Sequence, residues 1–253
     1  MNYVALYTLF RREMVRTYKI VNQVVWPPII TTLLYVFVFG LALGSRIRTV
    51  QGVSYAEFLI PGLIMLQVID GAYGEASSSV FQGRFQHHIE ELLIAPMSAL
   101  EIVLGFVLAG IVRAFVVAAL ITVLGAIFVH TLPHNWFMYL AMITLVAVLF
   151  ASLGVIFGLL ASKFDDVASL TTFAITPLVF VGGVFTSIQF LPPVVREASL
   201  FNPMFHMIDA FRYAYTGTSD IPLSISVGVV TALAVVAFAV ALRLVSLGFK
   251  LRT

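Results

Sequence analysis

The chain contains no cysteine, which excludes a disulfide framework, a thiolate metal site and a cysteine nucleophile. Charge is nearly as scarce. Of 253 residues only 10% are Asp, Glu, Lys or Arg, against about 25% in an average soluble domain, too little polar surface to cover a water-soluble globule of this size. Lysine occurs only as Lys19, Lys163 and Lys250, after Tyr18, Ser162 and Phe249. None closes a G-x-x-x-x-G-K-[ST] loop, so the chain cannot hydrolyse ATP through a P-loop of its own. H-E-x-x-H and G-x-S-x-G are also missing, which removes the zinc-protease and serine-hydrolase readings. The net charge of +2 and pI near 9.0 rest on 14 scattered Lys and Arg, better read as topology signals than as a nucleic-acid surface. His130 and His134 have the spacing of a helical metal pair, but Pro133 lies between them and no acid is near in sequence. They read as interfacial histidines, and no metal site is expected.

Apolar residues fill the space that charge leaves: 61% are hydrophobic and the mean hydropathy is +1.06. A bilayer core of about 30 Å needs about 20 helical residues. Charge-free runs of that length cover 20–45, 114–162, 167–195 and 221–242. The second is long enough for two helices, broken at 130–135 by a polar patch containing Pro133. A further span near 58–80 tolerates Asp70 and Glu75. The expectation is six transmembrane helices at about 24–43, 58–80, 103–129, 136–161, 168–187 and 222–246, hence an all-α integral membrane protein in one permease-like domain, 1–253. Strands of a barrel would alternate polar and apolar residues, which these runs do not. The first apolar run is too long for a signal peptide and no A-x-A site follows it, so it is read as a retained span.

Six spans put both termini on one side. With the termini cytoplasmic, the inner segments carry eight basic residues (Arg11, Arg12, Arg16, Lys19, Arg84, Lys163, Lys250, Arg252) and the outer ones four (Arg46, Arg48, Arg196, Arg212), the bias of a cytoplasmic amino terminus.

Three segments are not spans. In 1–20, Arg12, Arg16 and Lys19 recur at helical spacing against Leu6, Phe10 and Met14, the pattern of an amphipathic helix on the cytoplasmic membrane surface or of a basic flank that only sets topology. The polar stretch 81–101 is too long for a tight turn; it reads as a short cytoplasmic helix ending near Pro96, with Leu92 and Leu93 free to fill a partner's groove, or as a solvated loop. The stretch 188–220 is apolar for a connector and is cut by Pro192, Pro193 and Pro203 into pieces too short to cross. Such pieces form re-entrant or interfacial caps where their backbone is satisfied by protein or water.

Asp70, Glu75 and Arg113 lie within spans, where a lone charge costs at least about 2.5 to 3.5 kcal/mol. Either acid can pair with Arg113, locking the second and third spans; a proton relay is the functional alternative. Gly40 with Gly44, Gly154 with Gly158, and the pair Gly182–Gly183 permit close helix packing.

Taken together, the amphipathic start, the six spans, Ile89-Glu90-Glu91-Leu92-Leu93-Ile94-Ala95-Pro96 after the second span and the Pro-rich stretch before the sixth resemble the type-2 ABC exporter permeases. The likeness is greatest to small bacterial multidrug-type or lipo-oligosaccharide-type permeases, through 60–65 (Ile-Pro-Gly-Leu-Ile-Met), Phe164-Asp165-Asp166 and Gly182-Gly183-Val184-Phe185. Leu191-Pro192, Pro203, His206 and Arg212 fit the family's carboxy-terminal signature.

That resemblance implies a homodimeric permease of the bacterial inner membrane that binds two copies of a cytoplasmic ABC ATPase, with ATP and Mg on the partner and no cofactor on this chain. By the same likeness, 81–99 supplies the coupling helix through Arg84, His87, Glu90, Glu91, Leu92, Leu93 and Pro96. The outer gate would use Leu191, Pro192, Pro203, His206 and Arg212. The family's pathway elements, its first and fifth spans, make Tyr35, Phe39, Phe173, Phe180 and Phe185 candidates for the lining, each equally readable as a lipid-facing or core aromatic. The cargo expected is amphipathic or hydrophobic: a drug-like molecule, lipid or glycolipid. A self-contained proton-coupled transporter using Asp70 and Glu75 is the alternative.

Overall fold

The computed structural model describes residues 2–43, 49–50, 52–86, 88 and 95–249, without the side chains of 41–43. His87, Glu90, Glu91, Leu92 and Leu93, the centre of the expected coupling helix, lie outside the described residues, as do Gly44, Arg46, Arg48, Lys250 and Arg252.

Helix α1 (Tyr3–Lys19) is capped by the Asn2 side chain, which accepts from the Ala5 amide. Six helices long and apolar enough to cross a membrane follow among the described residues. They are α2 (Val21–Tyr35, continued as a π-helical stretch Val36–Leu43), α3 (Tyr55–Phe85), α4 (Ala99–Phe128), α5 (Trp136–Leu160), α6 (Phe164–Val184) and, after α7 (Pro193–Leu200) and α8 (Pro203–Thr216), α9 (Leu223–Ser246). The chain is an all-α integral membrane protein. Each expected span has its helix, but α3 and α4 run past the apolar stretches that suggested 58–80 and 103–129. Polar residues end a membrane-spanning stretch without ending a helix, and local chemistry sets the real ends: capping boxes of Ser54 with Glu57 and of Ser98 with Glu101 start α3 and α4. The only strands described are a two-residue pair, Thr49–Val50 with Val53–Ser54.

The spans are not all regular. In α6, π-helical turns at Thr171–Ile175 and Phe180–Val184 flank a short α-helical piece, Thr176–Val179, containing Pro177, which lacks the donor a regular turn requires. Gly183, at φ 94°, ends the span in a conformation that other residues rarely adopt. The span expected over about 168–187 is present as Phe164–Val184, with irregular turns and a break before Phe185.

Helix α3 is the hub, packed between α4 and α5 and also reached by α8. Gly154 and Gly158 of α5 lie on its backbone: a Cβ at either would come within 2.7 Å of the Tyr73 carbonyl or 2.9 Å of that of Ser77. These small residues serve packing inside one chain. By contrast α2, α6 and α9 keep broad apolar faces outward, including Trp26, Ile30, Phe37 and Phe173.

Candidate functional site

Three features stand out where the sequence places its rare polar groups. The first is a charge junction. Glu75 of α3 is fully buried, and its two carboxylate oxygens are divided between two arginines. One accepts from Arg16 of α1 and, at 2.7 Å, from the Thr17 hydroxyl; the other accepts from Arg113 of α4 at 2.8 Å. Arg16 also donates to Glu13 at 3.1 Å, and Arg12 does so at 3.0 Å. Glu13 is buried and receives the Ser79 hydroxyl as well. A single connected network thus joins α1, α3 and α4. Leu9 packs on Gly105, and the Asn2 amide donates to Glu101 at the start of α4, so α1 is fastened along its length. On α1 it is Arg16 and Glu13 that face the spans, where two buried acids require cations beside them.

The second feature is a polar cluster around α8. Pro193 and Pro203 occupy the first turns of α7 and α8, where a missing amide hydrogen costs nothing. Arg212 of α8 is completely buried, its guanidinium 3.9 Å above the Phe58 ring, and it donates to the Gly183 carbonyl at the break in α6. Its Nη1 lies 4.0 Å from Asp220. Burial lowers the Arg212 pKa to about 10 in spite of Asp220 and Asp209 beside it. Asp209, also buried, accepts from the Asp220 amide at 2.6 Å and from the Ser226 hydroxyl at 3.3 Å; burial is the main cause that pushes its carboxyl up. His206 reaches the Leu200 carbonyl through Nε2 at 2.9 Å and stands 3.5 Å from Ser226 through Nδ1. Leu191 and Pro192 sit at the surface between Ile188–Phe190 and α7. Of the five residues read from the carboxy-terminal signature, His206 and Arg212 share this cluster, Pro203 starts its helix, and Leu191 and Pro192 stand apart.

The third feature lies between α2, α3 and α6. Tyr35, Phe39, Phe180 and Phe185 form one aromatic cluster, with ring centroids 4.9 to 5.9 Å apart in successive pairs. Phe173 does not join it; 81% exposed, it faces outward from α6. Beside the cluster opens a cleft of about 260 Å³ lined by Pro27, Thr31 and Tyr35 of α2, Leu66, Gln67 and Asp70 of α3, and Thr171, Ile175, Thr176 and Phe180 of α6. Asp70 is exposed to it and makes no hydrogen bond or ion pair among the described residues. The pair with Arg113 open to either acid is made by Glu75.

At the other end, Arg84 donates through Nη1 to the carbonyls of Gly158, Leu159 and Ala161, closing the end of α5. Pro96 lies in a bend ahead of the Ser98 cap. No group of three His, Asp or Glu suited to a metal is found among the described residues.

Sequence reasoning missed Glu13, Asp209, Asp220 and Ser226. Glu13 gave a readable signal, an acid set between Arg12 and Arg16. Asp209 lies on α8, Ser226 in the first turn of α9 and Asp220 between the two helices, and only the fold unites the three.

A bundle of six apolar helices, with a buried ionic junction tying two of them to α1 and short proline-started helices before the last, defines a multi-pass membrane permease. The family model described as ABC-2 type transporter matches residues 4–216, and the chain belongs to that family. It is 39% identical over 251 residues to the inner membrane transport permease YadH of Escherichia coli K12, covering 99% of this chain and 98% of that one. To Nodulation protein J of Rhizobium leguminosarum bv. trifolii it is 31% identical over 208 residues, 81% and 79% of the two chains; to that of Rhizobium meliloti it is 28% identical over 207 residues, again 81% and 79%. The family implies an ABC ATPase as partner.

Proposed function

We infer that this chain is the membrane-spanning half of an ATP-driven exporter. Two copies associate with two copies of a separate ABC ATPase, which carries ATP and Mg, and move an amphipathic or hydrophobic molecule out of the cytoplasm or inner leaflet. The observation that carries this reading is the Glu75 junction. A push on the segment between α3 and α4, assigned by resemblance to the coupling helix, would act on two helices already tied to α1 by ion pairs. The three would move as a unit rather than bend separately. The chain's lack of a P-loop fits nucleotide chemistry on another polypeptide.

Both termini are assigned to the cytoplasm of a bacterium bounded by an inner membrane, in keeping with the basic residues beside α1. The broad apolar faces of α2 and α6, next to the cleft, suit a second copy, so that the pathway runs between the two chains. Within it, Tyr35, Phe39, Phe180 and Phe185 serve as lining and α7 with α8 as the outer gate. Both carboxylate oxygens of Glu75 are taken up in tying α1, α3 and α4 together, a structural use that favours ATP over a proton relay. The test is co-purification: the tagged chain, extracted in mild detergent with the product of a neighbouring ATPase gene, brings that ATPase down in equal stoichiometry. Isolation of the permease alone, with no hydrolysis when the ATPase is supplied, would overturn the reading.

A further inference from the structure

Asp70 stands fifteen residues from either end of α3, Tyr55 and Phe85, so it sits about 22 Å along a helix of about 46 Å, close to the middle of a bilayer. Its carboxylate is the acidic group of the cleft between α2, α3 and α6. Arg113 acts on Asp70 through its charge, but its Nη1 is given to Glu75, it makes no ion pair with Asp70, and it does not line the cleft. A carboxylate at that depth, opening onto a cavity and without a hydrogen-bond or ion-pair partner among the described residues, calls for positive charge from elsewhere.

The remaining lining says what kind. Thr31, Gln67, Thr171 and Thr176 offer neutral hydrogen-bonding groups, whereas Tyr35 and Phe180 present rings, and Tyr35 continues into the aromatic cluster with Phe39 and Phe185. A carboxylate flanked by aromatic faces is the chemistry that recognises an organic ammonium group, through charge and through the ring quadrupoles. The cleft holds about 260 Å³, less than the roughly 300 to 1,000 Å³ of sites that enclose a whole drug-sized ligand. It suits a headgroup, with the apolar remainder lying along the aromatic cluster.

We propose that the cleft around Asp70 is a mid-membrane subsite for the cationic headgroup of an amphiphile, and that the exported substrates include lipophilic amines or quaternary ammonium compounds. The inference rests on the exporter reading for its physiological meaning, but its test does not require the ATPase. Full-length permease in nanodiscs is titrated with radiolabelled decyltrimethylammonium below its micellar concentration, with empty nanodiscs subtracted. The neutral decyldimethylphosphine oxide, of the same chain length, serves as competitor. The wild type should prefer the cation by at least about tenfold, equal to one decade in Kd. Asp70→Asn should lose that preference while still binding the phosphine oxide, which shows an intact cleft, and Asp70→Glu should retain it. Should Asp70→Asn bind neither ligand, the preference of the wild type and of Asp70→Glu decides. Equal binding of both ligands by the wild type, an unchanged preference in Asp70→Asn, or displacement of the cation by millimolar sodium would overturn the proposal, the last by showing an inorganic cation site. Failure of the ATPase to co-purify bears on the exporter reading alone.

Discussion

Arg16 and Glu75, 59 positions apart in the chain, meet as an ion pair between α1 and α3, and the other oxygen of Glu75 is taken by Arg113 at 2.8 Å. One buried carboxylate thereby holds an amino-terminal helix and two spans. The acid is 1% exposed at its side chain, whereas the two arginines keep 24% and 20%, so removing the acid leaves two cations facing each other with only partial access to water. Glu75→Gln should cost about 3 kcal/mol, the lower end for breaking a buried pair. It should lower the midpoint of thermal unfolding in detergent. Glu75→Leu combined with Arg113→Met should recover part of that loss; a double variant as unstable as Glu75→Gln would show that the pair is not what holds these helices.

Arg212 tests the cluster around α8. Its planar guanidinium stacks on Phe58 and holds the carbonyl of Gly183 where α6 breaks. A lysine keeps the charge but loses the stacking plane and the fork. Arg212→Lys should destabilise by about 2 kcal/mol, the scale of a desolvated cation–π contact, and should speed hydrogen exchange of the amides around Gly183 before exchange rises elsewhere. Exchange changed equally throughout α3 and α6 would count against a local latch.

Asp209 makes stability depend on pH. Its carboxyl is raised by burial, so the native state holds a proton that the unfolded chain has released. The sign follows from proton counting: stability is full below the ordinary carboxylate pKa and falls as pH rises toward the raised native value. Asp209→Asn should flatten unfolding midpoints across that window, while its side-chain oxygen can still accept from the Asp220 amide. A wild type that gains stability over the same interval would contradict the assignment.

Small residues on α5 give a packing test. Gly158→Val places side-chain atoms against the Ser77 carbonyl and Val80, and overpacking of this kind costs about 1 to 3 kcal/mol. Gly228→Ala on α9, with nothing within 4 Å of the added carbon, should be neutral. The comparison is read from the monodisperse fraction on size exclusion; equal yields of the two variants would show that α5 does not need the close approach.

The spans were legible because a bilayer imposes length and hydropathy on any helix that crosses it, and six runs satisfied both. The ends of α3 and α4 were less so, since Ser54 with Glu57 and Ser98 with Glu101 set them locally, beyond the apolar stretches. The pairing of Glu75 with Arg113 could be anticipated from two intramembrane charges of opposite sign. The part played by Arg16 could not, because an amphipathic basic helix looks alike whether its cations face water or a buried acid. Four of the five aromatic candidates, Tyr35, Phe39, Phe180 and Phe185, meet in one cluster; Phe173 has the same composition around it but a different face of an irregular helix. Asp209 stands three residues before Arg212 on α8, whereas only the return of the chain after Gly217 brings Asp220 to Arg212.

The coupling segment supplies a prediction of its own. If Glu91 and Leu92 seat the chain in a groove of the ATPase, Glu91→Arg and Leu92→Asp should leave the permease folded and separate hydrolysis from transport. Normal coupling in both variants would place the docking surface elsewhere.

The most direct measurement of the central claim is transport in proteoliposomes containing this chain and its co-purified ATPase, with an amphipathic fluorescent cargo and either ATP or an imposed proton gradient as the energy source. The account predicts ATP-dependent movement that persists when the gradient is collapsed and stops when the ATPase is inactivated. Movement driven by the gradient alone, without nucleotide or partner, would contradict it.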